Sequence, residues 1–138
     1  MSRAFAEAGA TVVISSRKGD SCARAAQLIE RDTGRACLPV ACHVGDWKAR
    51  DALVETVYER YDRIDVLVNN AGIFEAANAE ETSDDNWQHT IATNLTAPFY
   101  LSRAAIPHLR ETRGVILNIA SDWGLVGGKR AVAYCASK

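Results

Sequence analysis

Four short apolar runs, spaced too far apart for hairpins, constrain this chain more than any other feature. They occupy residues 11–15 (TVVIS), 37–42, 64–68 and 114–120 (GVILNIA). Runs of this length and composition read as strands buried on both faces. The segments between them carry helical patterns. Residues 20–33 are opened by Asp20 or Ser21 and closed by Gly34, residues 46–61 place Val54, Val57 and Tyr58 on one face, and residues 84–110 are opened by Ser83 or Asp84. Residues 2–8 read as the tail of another helix, with Gly9 at its C-terminal cap. Strands that alternate with helices of about ten residues or more form βαβ units. The expected fold is therefore α/β with a parallel sheet, in one domain over residues 1–138.

Composition narrows the function classes. Hydrophobic residues at 48% and charged residues at 24% describe an ordinary soluble domain. A formal net charge of -1 gives no electrostatic reason to expect nucleic-acid binding. No apolar run approaches the roughly eighteen residues that span a bilayer, so no membrane partner is expected. The opening MSRAFAEAGA lacks the cationic-then-apolar profile of a signal peptide, and the chain reads as cytoplasmic. Cys22, Cys37, Cys42 and Cys135 show no C-x-x-C spacing, which argues against zinc. Cys37 and Cys42 could be neighbours, but buried reduced thiols are the favoured reading.

The chemistry gathers in residues 121–138, SDWGLVGGKRAVAYCASK. Ser121 precedes Tyr134 by thirteen positions, and Lys138 follows that tyrosine by four. Gly124, Gly127 and Gly128 mark a loop, and the apolar residues from Ala131 mark the start of a helix. Positions i and i+4 share a helix face, so Tyr134 and Lys138 should point the same way. A free tyrosine titrates near pH 10, at about that pKa, and is a poor acid or base at neutrality. A neighbouring ammonium favours the phenolate, as a general acid/base for alcohol and ketone chemistry requires. Upstream, Pro98 has no backbone N–H to offer the Asn94 carbonyl, so a kink is expected there, with a carbonyl free to bind water. After the run at 64–68 comes Asn69-Asn70-Ala71-Gly72, whose last two residues let another molecule approach the backbone closely.

Ser121, Tyr134-x-x-x-Lys138, the Asn69-Asn70-Ala71-Gly72 turn and Asn94 together resemble the short-chain dehydrogenase/reductase family. In order, they span nearly the whole chain. The resemblance implies a Rossmann-type doubly wound parallel sheet and hydride transfer between an alcohol and a ketone. It implies that Tyr134 exchanges the proton with the substrate oxygen and that Ser121 holds that oxygen in place. Lys138 would tune Tyr134 and bind the nicotinamide ribose, and Asn94 would hold a water that relays protons to the lysine. Asn70, Ala71 and Gly72 would border the cofactor, while Asp122 and Trp123 would line the substrate pocket. After the first strand, an acid would bind the ribose 2′-hydroxyl of NAD, but here Ser16, Arg17 and Lys18 stand instead. The planar fork of Arg17 suits a 2′-phosphate, so NADP(H) is favoured over NAD(H). His43-Val44 replaces the family's usual Asp-Val pair, whose aspartate reads the adenine amino group. A neutral imidazole keeps one acceptor for that contact.

The chain also departs from the family pattern. No G-x-G-x-x-G or T-G-x-x-x-G-x-G occurs, and the strand that should precede such a turn is absent. That strand is central in the usual order, so the runs at 11–15 and 64–68 should each lack a partner on one side. Residues 1–138 are therefore expected to be an incomplete Rossmann domain from a longer enzyme, inactive and unable to bind NADPH alone. The expected partners of the full-length protein are a small alcohol or ketone and further copies of itself, as a homodimer or homotetramer. A non-catalytic fragment or subunit-interaction module is the alternative. A regulatory nucleotide-binding domain is disfavoured because it would not need Ser121, Tyr134 and Lys138 together. The substrate is not legible: 3-oxoacyl-thioester reductases and sugar or polyol dehydrogenases are resembled equally well.

Overall fold

The alternation in the sequence becomes two pairs of parallel strands, each pair joined by helical crossovers. In the computed structural model, which describes residues 1–138, β1 (Val12–Ser16) pairs with β2 (Cys37–Ala41). β3 (Val66–Asn69) pairs with β4 (Val115–Asn118). The registers set Val12 against Cys37 and Val66 against Val115. β1 pairs only with β2 and β3 only with β4, so two two-stranded sheets form where one wider sheet would lack its middle strand. The helices are α1 (Ser2–Glu7), α2 (Gly19–Thr33), α3 (Trp47–Tyr61), α4 (Asp84–Ile91), α5 (Ala97–Thr112) and α6 (Val132–Ser137).

Local chemistry explains most boundaries. Gly34 closes α2 in the left-handed conformation, at φ 67°, and its N–H reaches the Glu30 carbonyl at 2.8 Å. Asp46 caps α3 by accepting the Lys48 N–H at 2.9 Å, and Ser83 caps α4 by accepting the Asn86 N–H at 3.1 Å. α2 differs from expectation: it begins one residue before Asp20, with Lys18 at the cap position. Asp20 then lies in the first turn, where its carboxylate faces the positive end of the helix dipole. α1 ends at Glu7, and Gly9 follows two residues later at φ 94°.

The single helix expected over 84–110 is two helices joined by a π turn, Ala92–Thr96. The Ala97 N–H bonds to the Ala92 carbonyl, five residues back. Pro98 follows in the first turn of α5, where its missing N–H costs least. The kink expected from Pro98 thus takes the form of one widened turn, with Asn94 at its middle.

Ala6, Val12, Ala26, Ile29 and Cys37 form one small core, with Phe5, Ala10 and Ile14 packed against it. All four cysteines are free; Cys42 is buried elsewhere, its thiol donating to the Ala49 carbonyl at 3.3 Å. Burial pushes the Cys37 and Cys42 thiols up from their usual range, which favours the neutral thiol. Val54 is buried on α3 as the periodicity predicts. Only 21 of the 138 residues are buried, and the strand residues Val66, Val115 and Leu117 are all exposed. Parallel sheets are normally covered on both faces, so this surface is adhesive. Residues 1–138 produced alone are expected to self-associate. A single monomer peak in light scattering after size exclusion would contradict this.

Candidate active site

The ends of β1 and β2 carry the residues assigned to the far half of the cofactor. Ser16, Arg17 and Lys18 are exposed, and neither Arg17 nor Lys18 joins an ion pair. The Ser16 hydroxyl accepts the Lys18 N–H at 3.3 Å and lies 3.2 Å from the Cys22 sulfur, which fixes the start of this loop. His43 differs from expectation in one respect. Its Nδ1 already accepts the Gly45 N–H at 3.0 Å, so the acceptor reserved for adenine is engaged within the loop. A neutral ring bonded this way carries its proton on Nε2 and offers a donor.

Beneath this loop lies a residue that sequence reading missed. Arg50 is 5% exposed; its guanidinium donates to the Val44 carbonyl and sits 5.0 Å from the Tyr100 ring centroid. Arg50 has no carboxylate partner, and its Nε is unpaired. Its position one turn before buried Val54, on the inward face of α3, was the available signal. The cation–π contact and the carbonyl bond hold the His43–Val44 segment against the body of the domain.

β3 delivers the Asn69–Gly72 turn. Asn69 is buried and donates to Asn118 Oδ1 at 2.8 Å and to Ser102 Oγ at 3.1 Å, tying the turn to β4 and α5. Asn70, Ala71 and Gly72 stay exposed. A methyl group placed on Gly72 would lie 3.5 Å from Lys138 Nζ and 3.6 Å from Asn94 Oδ1. Three separate sequence motifs therefore meet at this glycine.

Asn94 is the knot. Its Oδ1 accepts the Ile73 N–H at 2.8 Å, while Nδ2 donates to the Ile73 carbonyl at 2.9 Å and to Ser137 Oγ at 2.9 Å. Ser137 Oγ in turn donates to the Tyr134 carbonyl at 2.8 Å. Asn94 and Ser137 are both buried, at 6% and 4% exposure. Ser137 was not singled out from the sequence, although it lies between Tyr134 and Lys138 and faces inward. Lys138 Nζ donates to the Ile119 carbonyl at 2.7 Å, beyond β4, and sits 5.7 Å from the Tyr134 ring centroid.

Ser121 stands apart from this network. Its hydroxyl donates to Asp122 Oδ1 at 3.1 Å and accepts the Trp123 N–H at 3.2 Å. No hydrogen bond joins it to Tyr134. Tyr134 instead packs edge-on against Phe74 and Trp123, with centroids 5.4 and 5.9 Å away. Phe74, two residues beyond Gly72, is a second residue that sequence reading missed.

The short chain dehydrogenase family model matches residues 1–138, and the chain belongs to that family. It is 40% identical over 135 residues to trans-4-hydroxycyclohexanecarboxylate dehydrogenase of Sinomonas cyclohexanicum, covering 94% of this chain and 52% of that protein. It is 37% identical over 136 residues to meso-2,3-butanediol dehydrogenase of Serratia marcescens, covering 99% of this chain and 53% of that protein. A solved short chain dehydrogenase from Mycobacterium smegmatis superposes with a TM-score of 0.92 at 32% identity, over 99% of this chain and 57% of that one. The fold is thus the Rossmann-type α/β fold, and the chain spans about half the length of the curated relatives it matches.

Proposed function

We propose that this chain forms the catalytic half of an NADP(H)-dependent oxidoreductase that interconverts an alcohol and a ketone. The observation that carries this reading is the Asn94 knot. It draws the Asn69–Gly72 turn, the π turn and the foot of the Tyr134 helix to one point, with Lys138 Nζ close to Gly72. Tyr134 acts as general acid/base at the substrate oxygen, and Lys138 places its ammonium 5.7 Å from the centre of that ring. Ser121 orients the substrate oxygen once its hydroxyl leaves Asp122. A nicotinamide cofactor, when bound, supplies or accepts the hydride.

The residues present fit such a cofactor in two of three places. Bare backbone at Ala71 and Gly72 allows close approach, and the free Arg17 and Lys18 suit a 2′-phosphate. His43 fits less well, since its acceptor nitrogen is engaged with Gly45. Charge-assisted hydrogen bonds contribute about 1.5–3 kcal/mol, so Arg17→Ala should narrow a preference for NADPH over NADH by about tenfold or more. Steady-state kcat/KM with each cofactor measures this. An unchanged ratio would remove Arg17 from cofactor selection.

Asn94 also bears on proton relay, because the widened turn leaves helical carbonyls without their usual donors. Pro98→Ala restores an N–H and should straighten the helix, slowing turnover by about tenfold to a hundredfold. Unchanged turnover alongside a straightened helix would reject a water relay at Asn94. Cytoplasmic location and assembly into a homodimer or homotetramer belong to the same proposal. No helix is long and apolar enough to cross a membrane.

A further inference from the structure

Resting on the oxidoreductase reading above, we infer that the substrate is a secondary alcohol or ketone carried on an apolar carbocycle, gripped by Phe74 and Trp123. These two rings and Tyr134 form a closed aromatic triangle. Phe74 and Trp123 are 5.7 Å apart at 67°, Phe74 and Tyr134 5.4 Å apart at 77°, and Trp123 and Tyr134 5.9 Å apart at 88°. Such edge-to-face packing fixes each ring against the others.

The triangle is also backed from behind. A side chain on Gly128 would lie 2.6 Å from Trp123 Cδ2, so the loop backbone presses on the indole. The Gly128 N–H is held in turn by the Cys135 sulfur at 3.2 Å. A wall clamped on two sides keeps its shape when a ligand arrives. Phe74 nevertheless remains 49% exposed, so apolar ring surface is presented beside the tyrosine that handles the substrate oxygen.

In the same loop, one carboxylate oxygen is engaged locally before a substrate arrives. Asp122 Oδ1 accepts from Ser121 Oγ and from the Trp123 N–H, and Leu125 and Val126 continue the loop as exposed apolar residues. On the Phe74 and Trp123 rings the one polar atom is the indole N–H, a donor. Each extra hydroxyl of a polyol laid over the faces of these two rings would lose water there without gaining a hydrogen bond from the ring carbons. A hydrocarbon ring loses nothing there and covers the exposed aromatic surface. An apolar pocket discriminates against an added hydroxyl by about a hundredfold at most.

The test compares two six-membered rings, cyclohexanol and myo-inositol, with the full-length holoenzyme and either nicotinamide cofactor. The expected kcat/KM ratio favours cyclohexanol by about tenfold or more, and Phe74→Asn and Trp123→Gln should each cut that ratio by about tenfold. A wild-type ratio below that level overturns the inference without any variant. So does an unchanged ratio in two variants that keep the wild-type circular dichroism. Oxidation of butan-2-ol but of neither ring overturns the substrate class alone, whereas no cofactor-linked turnover of any alcohol overturns the oxidoreductase reading itself.

Discussion

Replacing Tyr134 with phenylalanine is expected to lower kcat about a thousandfold while leaving the fold intact, since a positioned acid/base contributes roughly 10²–10⁴. The variant keeps the ring that packs edge-on against Phe74 and Trp123, so the aromatic triangle survives. The Ser137 contact also survives, because it uses the Tyr134 backbone carbonyl. Only the phenolic oxygen is lost. Single-turnover change in nicotinamide absorbance, measured on the full-length enzyme, isolates the chemical step. A fall of less than tenfold would mean that another group carries the proton, and Tyr134 would revert to a packing residue.

Asn94→Leu should produce the largest loss of stability. The leucine fills similar space but leaves the Ile73 N–H, the Ile73 carbonyl and Ser137 Oγ without their partner. Each buried polar group left unsatisfied costs about 1–3 kcal/mol, so a total near 3 kcal/mol or more is expected. Asn94→Asp makes the informative companion. It retains an acceptor for the Ile73 N–H but loses both donated bonds, so it should fall between leucine and the wild type. Urea unfolding of the full-length protein resolves the series, provided the slope with denaturant is unchanged. Equal stability of all three proteins would show that water replaces the asparagine without penalty.

Much of this was legible because the signals are local. The runs at 11–15, 37–42, 64–68 and 114–120 announce strands by composition, and the strands observed differ only in their end residues. Gly34 and Ser83 act within one turn of themselves, and the Tyr134–Lys138 spacing needs only helical geometry. What escaped notice depends on distant partners. Arg50 reads as a solvated arginine until α5 brings Tyr100 against it. Phe74 has no periodic neighbours, and its meaning comes from Trp123, far along the chain. Pro98 predicts a disturbance, but whether the helix kinks or widens into a π turn is decided by packing around Asn94. His43 shows the opposite error: its acceptor was assigned to a ligand, when a neighbouring N–H two residues away had already engaged it.

The bonds of Asn94 also set an order of events during folding. One partner lies 21 residues away and the other 43, so two sizeable loops must close before the side chain is satisfied. Closing such loops carries an entropic penalty that local helix formation does not repay, which places this step late. The helices can flicker into existence on the emerging chain while Gly72, Asn94 and the Tyr134 helix remain apart. The meeting of the three motifs is therefore acquired together with native topology, and a half-folded chain holds no partial version of it.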